Sequence, residues 1–464
     1  MAVMERFDAI IIGSGQAAAP LVGRLTGAGM TVAFIERKFV GGTCVNAGCT
    51  PTKTLIASAR AAYVARNAGA LGVIVGPPVI DMAAVQSRVA TVAGNSRHGV
   101  ENWLAGMKGL SLIRGQARFT GPDRIEVADL NQDHRTLTAP RIFLNVGARP
   151  LIPDLPGVQD VPYLTSTTIL ALTEVPAHLV VVGGSYIGLE FAQAFRRLGA
   201  EVTVVERSSA LIGREDPEIS QAILGILEAE GIHIRTGADC IRLGTHPDGV
   251  AVGVSCTEGA PQVVGSHVLL AVGRTPNTDD LGLEAAGLAA DARGMIPVND
   301  RLETQVPGIW ALGDCNGRGA FTHTAWNDYE IVAANLLDGA SRKVSDRVPG
   351  YALYIDPPLG RAGLTEAAAR AAGHRILVAS RPMTRVSRAV EKGETQGLMK
   401  AVVDADTGKI LGAAILGTGG DEAIHGILDA MTAGLDFRTL QWSVPIHPTV
   451  SELIPTLMGD LQRA

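Results

Sequence analysis

Two unbroken apolar runs, each followed by a glycine turn, set the rhythm of the chain. The first reads Ala9-Ile-Ile-Ile-Gly13-Ser-Gly15-Gln-Ala-Ala18, the second Leu179-Val-Val-Val-Gly183-Gly-Ser185-Tyr-Ile-Gly188. Four apolar residues without polar alternation predict strands buried on both faces, as in a sheet covered by helices. Each turn leads through a helical pattern into another apolar run, Val32-Ala-Phe-Ile-Glu36-Arg37 and Val202-Thr-Val-Val-Glu206-Arg207. The two segments match at an offset of 170 residues, and each ends in an acid 23 residues after its first glycine. Towards the C-terminus the pattern changes. Leu398-Met-Lys-Ala-Val-Val403 and Ile410-Leu-Gly-Ala-Ala-Ile415 flank Asp404-Ala-Asp-Thr-Gly-Lys409 and predict a hairpin, with a helix over 423–431 after it.

Strand, glycine turn, helix, strand and acid form the dinucleotide-binding fingerprint. The first glycine (Gly13, Gly183) allows the tight turn. The middle small residue (Gly15, Ser185) lets backbone approach a pyrophosphate, and the third (Ala18, Gly188) lets helix pack on strand. The helix N-terminus then faces phosphate with free N–H groups, and Glu36 or Glu206 accepts hydrogen bonds from a ribose. Ala18 is a tolerated substitute; Ser185 stands where glycine is usual, and its short side chain is expected to fit. Two copies predict two nucleotides, one held permanently and one exchanging.

A chain of 464 residues with 47% apolar and 19% charged residues is globular and holds two to four domains. A net charge of −6 without a cluster of Lys and Arg argues against a nucleic-acid partner. The start resembles a signal peptide only superficially: its apolar run is short and broken by Gly13 and Gly15, as a buried strand entering a turn would be. No apolar stretch is long enough to span a membrane. Five cysteines, an odd and low number, point to a reducing, cytoplasmic setting.

Two of those cysteines lie in Gly41-Gly42-Thr43-Cys44-Val45-Asn46-Ala47-Gly48-Cys49-Thr50-Pro51-Thr52-Lys53. Their spacing lets two sulfurs meet within one turn and cycle a disulfide. A structural staple over so short a loop would add little stability, and a zinc site would need a second ligand pair at matching distance. No metal site is expected. Cys240, Cys256 and Cys315 show no partner spacing and read as small buried apolar residues.

Together with Ile309-Trp-Ala-Leu-Gly313-Asp314, Ala271-Val-Gly273-Arg274-Thr-Pro-Asn277 and His447-Pro-Thr-Val-Ser-Glu452, these segments make the whole chain resemble the class I pyridine nucleotide–disulfide oxidoreductases. That family includes dihydrolipoamide dehydrogenase, glutathione reductase and mercuric reductase. Thr50-Pro-Thr-Lys53, Arg214-Glu-Asp-Pro217, Asp356-Pro-Pro358 and Gly419-Gly-Asp-Glu-Ala-Ile-His425 are similar to the mercuric reductase-like branch. The resemblance implies an α/β fold: two Rossmann-like dinucleotide-binding domains plus a C-terminal α+β dimerisation domain. Residues 1–150 and 271–345 would form a discontinuous FAD-binding domain, 151–270 an NAD(P)H-binding domain and 346–464 the interface domain, with a linker at Pro150–Pro156.

The resemblance also implies roles. Cys49 would be the thiolate facing the flavin and Cys44 the outward sulfur that attacks substrate. Lys53 would lie beside the reactive edge of the flavin, paired with Glu190. Asp314 would bind the ribityl chain, with Gly313, Gly42 and Thr43 nearby, and Gly273 and Arg274 would belong to the cofactor surroundings. Tyr186 resembles the aromatic lid over the flavin; a core tyrosine is the competing reading. His447, oriented by Glu452, would be the general acid/base beside the disulfide and would come from the other subunit of an obligatory homodimer. His323 and His425 read as structural. Glu206 favours NADH over NADPH, although Arg207 follows it within reach of a 2′-phosphate.

The expected activity is FAD-dependent transfer from NAD(P)H through Cys44–Cys49 to a small disulfide or thiophilic metal ion. Alternatives are a dihydrolipoamide dehydrogenase, or a redox sensor or partner-binding switch with slow turnover. The His447–Glu452 pair favours an enzyme, since a sensor needs no proton shuttle. Mercuric reductases carry a vicinal cysteine pair near the C-terminus, whereas Leu457–Ala464 contains no cysteine. No N-terminal metal-binding module is expected either, because the first strand begins near residue 7.

Overall fold

The computed structural model describes residues 4–129, 133–255 and 262–463. The chain folds as two compact units. One comprises Met1–Thr54, Ser87–Leu151 and Gly273–Arg347, the other Leu55–Gln86, Ile152–Val272 and Val348–Ala464.

The first unit is built on the first apolar run. Strand Ala9–Ile12 lies parallel between Val32–Glu36 and Ile142–Leu144, and Ile309–Ala311 continues the sheet on the far side of Ile142–Leu144. On the other side Leu110–Gly121 pairs with Val32–Glu36 and starts an antiparallel meander through Arg124–Asp129 and His134–Thr138. The apolar run is buried on both faces, as its lack of alternation predicts. Ala9 and Ile11 pack with Leu21, Val22 and Leu25 of helix Ala18–Gly27, while Ile10 and Ile12 face Ile125, Val127 and Leu137 of the meander. Full burial of such a side chain contributes roughly 1.5–3 kcal/mol.

The second unit repeats the plan. Parallel strands run in the order His233–Arg235, Glu201–Val205, His178–Val182, His267–Leu270, Leu164–Thr165. The unit also holds a three-stranded antiparallel sheet, Arg242–His246, Gly249–Gly253 and Gln262–Gly265. A six-stranded antiparallel sheet contains the expected hairpin, Leu398–Asp404 against Ile410–Leu416. Its turn is closed by Asp404, whose Oδ1 accepts from Thr407 N at 2.8 Å and Asp406 N at 3.0 Å. The helix expected over 423–431 runs Gly420–Thr432 and buries Ile424 and Ile427 against this sheet. No described helix is long and apolar enough to cross a membrane.

One expectation fails. Cys240 is disulfide-bonded, not a lone apolar cysteine. Cys256 lies outside the described residues.

Candidate active site

The two glycine turns are built alike, down to single hydrogen bonds. In the first, Gly13 N donates to Ile35 O and Asn145 N to Ile12 O, both at 2.8 Å. In the second, Gly183 N donates to Val205 O and Ala271 N to Val182 O, again at 2.8 Å. A Cβ on Gly13 would stand 2.5 Å from Asn145 O, and one on Gly183 2.5 Å from Ala271 O. Both glycines also have positive φ, +87° and +118°, which an L side chain rarely adopts. The acids repeat too. Glu36 Oε2 accepts from Ser14 N at 2.9 Å and Oε1 from Lys38 N at 2.7 Å. Glu206 Oε2 accepts from Gly184 N at 2.6 Å and Oε1 from Ser208 N at 2.7 Å. Arg207 is exposed.

The turns differ where the fingerprint differs. A Cβ at Gly15 would lie 2.5 Å from Asn145 Oδ1, so glycine is required there. The equivalent of Asn145 in the second unit is Ala271, which has no such atom, and Ser185 sits exposed with extended backbone. Asn145 itself is 4% exposed, and its Oδ1 has no protein partner. Its orientation is fixed by Nδ2, which donates to Leu312 O at 2.8 Å. An uncapped helix start at Ala18, a glycine cradle that a Cβ would fill and an orphaned acceptor inside it together fit a dinucleotide.

The redox segment packs on this cradle. Gly42 has φ +62° and approaches so closely that its Cβ would lie 2.9 Å from Gly15 Cα, while Gln16 Nε2 donates to Gly41 O at 2.9 Å. Short helix Gly42–Ala47 carries Cys44 and stops at Gly48, and helix Cys49–Asn67 starts at the second sulfur. Both thiols are free, Cys49 exposed and Cys44 less so. Cys49 Sγ lies 3.3 Å from Thr322 Oγ1, the first residue of helix Thr322–Leu337.

The two sulfurs are unequal. The hydrogen bond from Cys44, then that from Thr322 and the charge of Lys53, lower the Cys49 pKa to about 6 against the opposing effect of burial. Its bond to Cys49, then burial, push Cys44 far up. The shifts favour the thiolate at Cys49 and the donating thiol at Cys44. Lys53 lies one turn beyond Cys49 on the same helix.

The segment after strand Ile309–Ala311 closes the cradle. Gly313, φ +71°, donates its N–H to Asp328 Oδ2 at 2.8 Å, and Asn316 Nδ2 reaches the same oxygen at 2.9 Å. Arg347 neutralises Asp328 on its other oxygen. Burial raises the Asp314 pKa, opposed by Arg274, whose Nε lies 3.8 Å away. Arg274 also donates to Ala148 O and sits 3.5 Å from Thr43 Oγ1. Sequence reasoning missed Asn145, Thr322 and Asp328. None of the three belongs to a spaced motif.

In the second unit, His447 Nδ1 and Glu452 Oε2 are 2.8 Å apart, and Thr449 N also approaches that oxygen at 3.4 Å. The imidazole is 74% exposed and the carboxylate 17%, so the acid orients the ring and leaves Nε2 open. Exposed Trp442, Val444 and Ile446 lead into this residue. Glu190, 5% exposed, accepts from Tyr354 N at 3.0 Å. Tyr186, the first residue of helix Tyr186–Leu198, is half-buried, packs edge-on to Tyr351 at 5.1 Å, and burial pushes its pKa to about 12. His323 stacks on Phe321, and His425 is exposed on helix Gly420–Thr432. Cys315 is fully buried, its pKa raised to about 12. Among the described residues no group of three or more His, Cys, Asp or Glu is placed to hold a metal ion.

Comparison with known proteins gives a consistent picture. The profile of the pyridine nucleotide-disulphide oxidoreductases matches residues 7–328, and that of their dimerisation domain matches 349–458. A probable pyridine nucleotide-disulfide oxidoreductase, RclA of Escherichia coli, is 36% identical over 98% of this chain and 99% of its own length. A mercuric reductase of Streptomyces lividans is 36% identical, covering 97% and 94%, and a dihydrolipoyl dehydrogenase of Thermus scotoductus 34%, covering 97% and 96%. The solved Cu(II) complex of the HOCl-induced flavoprotein disulfide reductase RclA from Escherichia coli superposes with TM-score 0.89 at 35% identity, covering 98% of this chain and 99% of that one.

Proposed function

The chain belongs to the pyridine nucleotide–disulphide oxidoreductases, and we propose that it carries electrons from NADH through Cys44–Cys49 to a small disulfide or a soft metal ion. The observation that carries this reading is the inequality of the two sulfurs beside a dinucleotide cradle. The family implies FAD and a pyridine nucleotide, and its dimerisation domain supports a homodimer. In this reading residues 1–150 and 271–345 form the FAD domain, 151–270 the nicotinamide domain and 346–464 the interface.

Bound FAD supplies hydride acceptance from the pyridine nucleotide and two-electron delivery to the protein disulfide. Gly13, Gly15, Ala18, Glu36, Gly42, Thr43, Gly313 and Asp314 would hold it, with Asn145 added to that set. Gly183, Ser185, Gly188 and Glu206 would hold the nicotinamide dinucleotide. Cys49 lies at an exposed position in the segment packed on that cradle. Lys53 lies one turn from that sulfur on the same helix.

Reduction breaks the Cys44–Cys49 bond, leaving Cys49 as thiolate and Cys44 as thiol. The open Nε2 of the partner subunit's His447 then removes the Cys44 proton, and the thiolate attacks a substrate disulfide. The departing thiolate takes that proton, and Cys49 displaces the second thiol as the protein disulfide re-forms. The sum is NADH, one proton and one disulfide giving NAD⁺ and two thiols. For a metal ion, the two sulfurs are the soft ligands at hand, a set that suits ions content with few thiolates, such as Hg(II) or Cu(I). The Cu(II) complex of the RclA relative makes copper an acceptor to include. The His447–Glu452 bond equally suits a dihydrolipoyl dehydrogenase.

Both oxygens of Glu206 accept from backbone N–H groups, and a carboxylate at the end of the fingerprint suits a ribose hydroxyl and would repel a 2′-phosphate. NADH is therefore favoured. The test is NADH and NADPH consumption by FAD-loaded protein against lipoamide, glutathione disulfide, Hg(II), Cu(II) and quinones. Rapid NADH-linked turnover with one thiol-reactive acceptor is expected, abolished in Cys44→Ser. Only slow oxygen-linked oxidation with every acceptor would contradict the reading and favour a sensor.

A further inference from the structure

Buried charge away from the thiols is concentrated around Arg214-Glu215-Asp216-Pro217. The side chains of Glu215 and Asp216 are 0% and 1% exposed. Facing them are Arg361 and Lys400, each 1% exposed, from strands Leu359–Gly363 and Leu398–Asp404 of the antiparallel sheet. Arg361 donates to Glu215 and, at 2.7 Å, to Asp216 Oδ2, while Lys400 Nζ lies 3.3 Å from Asp216 Oδ1. Burying four charges is costly unless each is paired, so the geometry of this segment is stiffly determined.

The stiffness is passed to the chain just before it. Ile212 is 4% exposed and has φ +45°, a conformation that β-branched residues avoid. Such a conformation persists only where the surroundings over-determine it, and it marks a place to look for function. Ile212 N donates to Gly184 O at 3.0 Å, and Glu215 N to Ile212 O at 2.9 Å. A Cβ at Gly184 would stand 2.7 Å from Leu211 Cδ2, so Leu211 roofs the turn. Gly184 N in turn holds Glu206 at 2.6 Å. A continuous line of contacts joins Arg361, Glu215, Ile212, Gly184 and Glu206.

We propose that Arg361 and Glu215 are positioning residues for the pyridine nucleotide, holding Ile212 in its left-handed conformation so that turn Gly183–Gly188 and Glu206 keep their binding shape. The proposal rests on the reading of that turn as the nucleotide site. Neither Arg361 nor Glu215 touches the nucleotide; they act through Ile212. Releasing Ile212 lowers the fraction of protein in the binding shape and weakens apparent affinity in the same proportion.

The test is isothermal titration of FAD-loaded full-length protein with NAD⁺ and, separately, NADP⁺, alongside thermal melting. Ile212→Gly adopts φ +45° without strain but leaves the loop free. Its Kd for the better-bound nucleotide is expected to rise about tenfold, the scale of ordering one loop segment, with the FAD spectrum retained. Arg361→Met is expected to move Kd the same way; if it does not fold, Ile212→Gly decides. A Kd for Ile212→Gly within about twofold of wild type, well short of the fall in competent fraction that a released loop implies, overturns the proposal whatever happens to the melting temperature. Wild-type protein that binds neither nucleotide overturns the nucleotide-turn reading itself, and the proposal with it.

Discussion

At the scale of single residues, ionisation sets the two sulfurs apart. Cys49 is drawn to about 6 by a donor on each side, Cys44 and Thr322, and by Lys53 one turn away. A lowered thiol pKa means that the thiolate is present above that value and lost as pH falls through it. Alkylation of dithiol-form protein by iodoacetamide should therefore follow a titration centred near 6 for Cys49. A hydrogen bond to a charged group contributes about 1.5–3 kcal/mol, so Thr322→Val should move the midpoint up by about one to two pH units. Thr322→Ser should restore it, and a midpoint unmoved in Thr322→Val would exclude the hydroxyl as a cause. The cysteines themselves stood out in the sequence through their spacing and glycine context. Thr322 did not, because it meets Cys49 from the start of a helix on a distant stretch of chain.

At the scale of elements, the glycine turns are the parts most legible in sequence, because a turn that brings backbone against backbone admits so few residues. Gly13 and Gly183 each face a carbonyl oxygen at 2.5 Å from a would-be Cβ, and no side chain fits. What the sequence left unexplained was why position 15 is Gly while 185 is Ser. The answer lies in a different strand end, Asn145 in one unit and Ala271 in the other. Gly15→Ala should drive its Cβ into Asn145 Oδ1 and weaken FAD binding by about tenfold or more, the factor that corresponds to a 1.4 kcal/mol clash. The double substitution Gly15→Ala/Asn145→Ala should recover part of that loss, a non-additivity measurable as FAD Kd by fluorescence quenching on apoprotein. Additive losses would mean that the clash is not the reason for glycine. The ion cluster of Glu215, Asp216, Arg361 and Lys400 was legible only as a local motif, Arg214–Pro217. Its cationic partners sit on strands about 150 residues and more away in sequence, and nothing in their own surroundings announces a buried charge.

At the scale of the whole molecule, the repeat at 170 residues underlies the architecture: one βαβ plan, used once in each compact unit, with an antiparallel meander extending the sheet of the first and two antiparallel sheets added to the second. The dimerisation domain carries His447 and Glu452 beside exposed Trp442, Val444 and Ile446, apolar surface that a second copy would cover. A site shared between subunits would bring that histidine to the thiols of its neighbour. The proposed route takes electrons from the nicotinamide through Cys44 and Cys49. The direct measurement is anaerobic titration of the oxidised, FAD-loaded protein with NADH, followed by differential alkylation and mass spectrometry of each cysteine. Two new thiols, at Cys44 and Cys49, are expected to appear as NADH is consumed. NADH oxidation that leaves both of these sulfurs in their disulfide would contradict it.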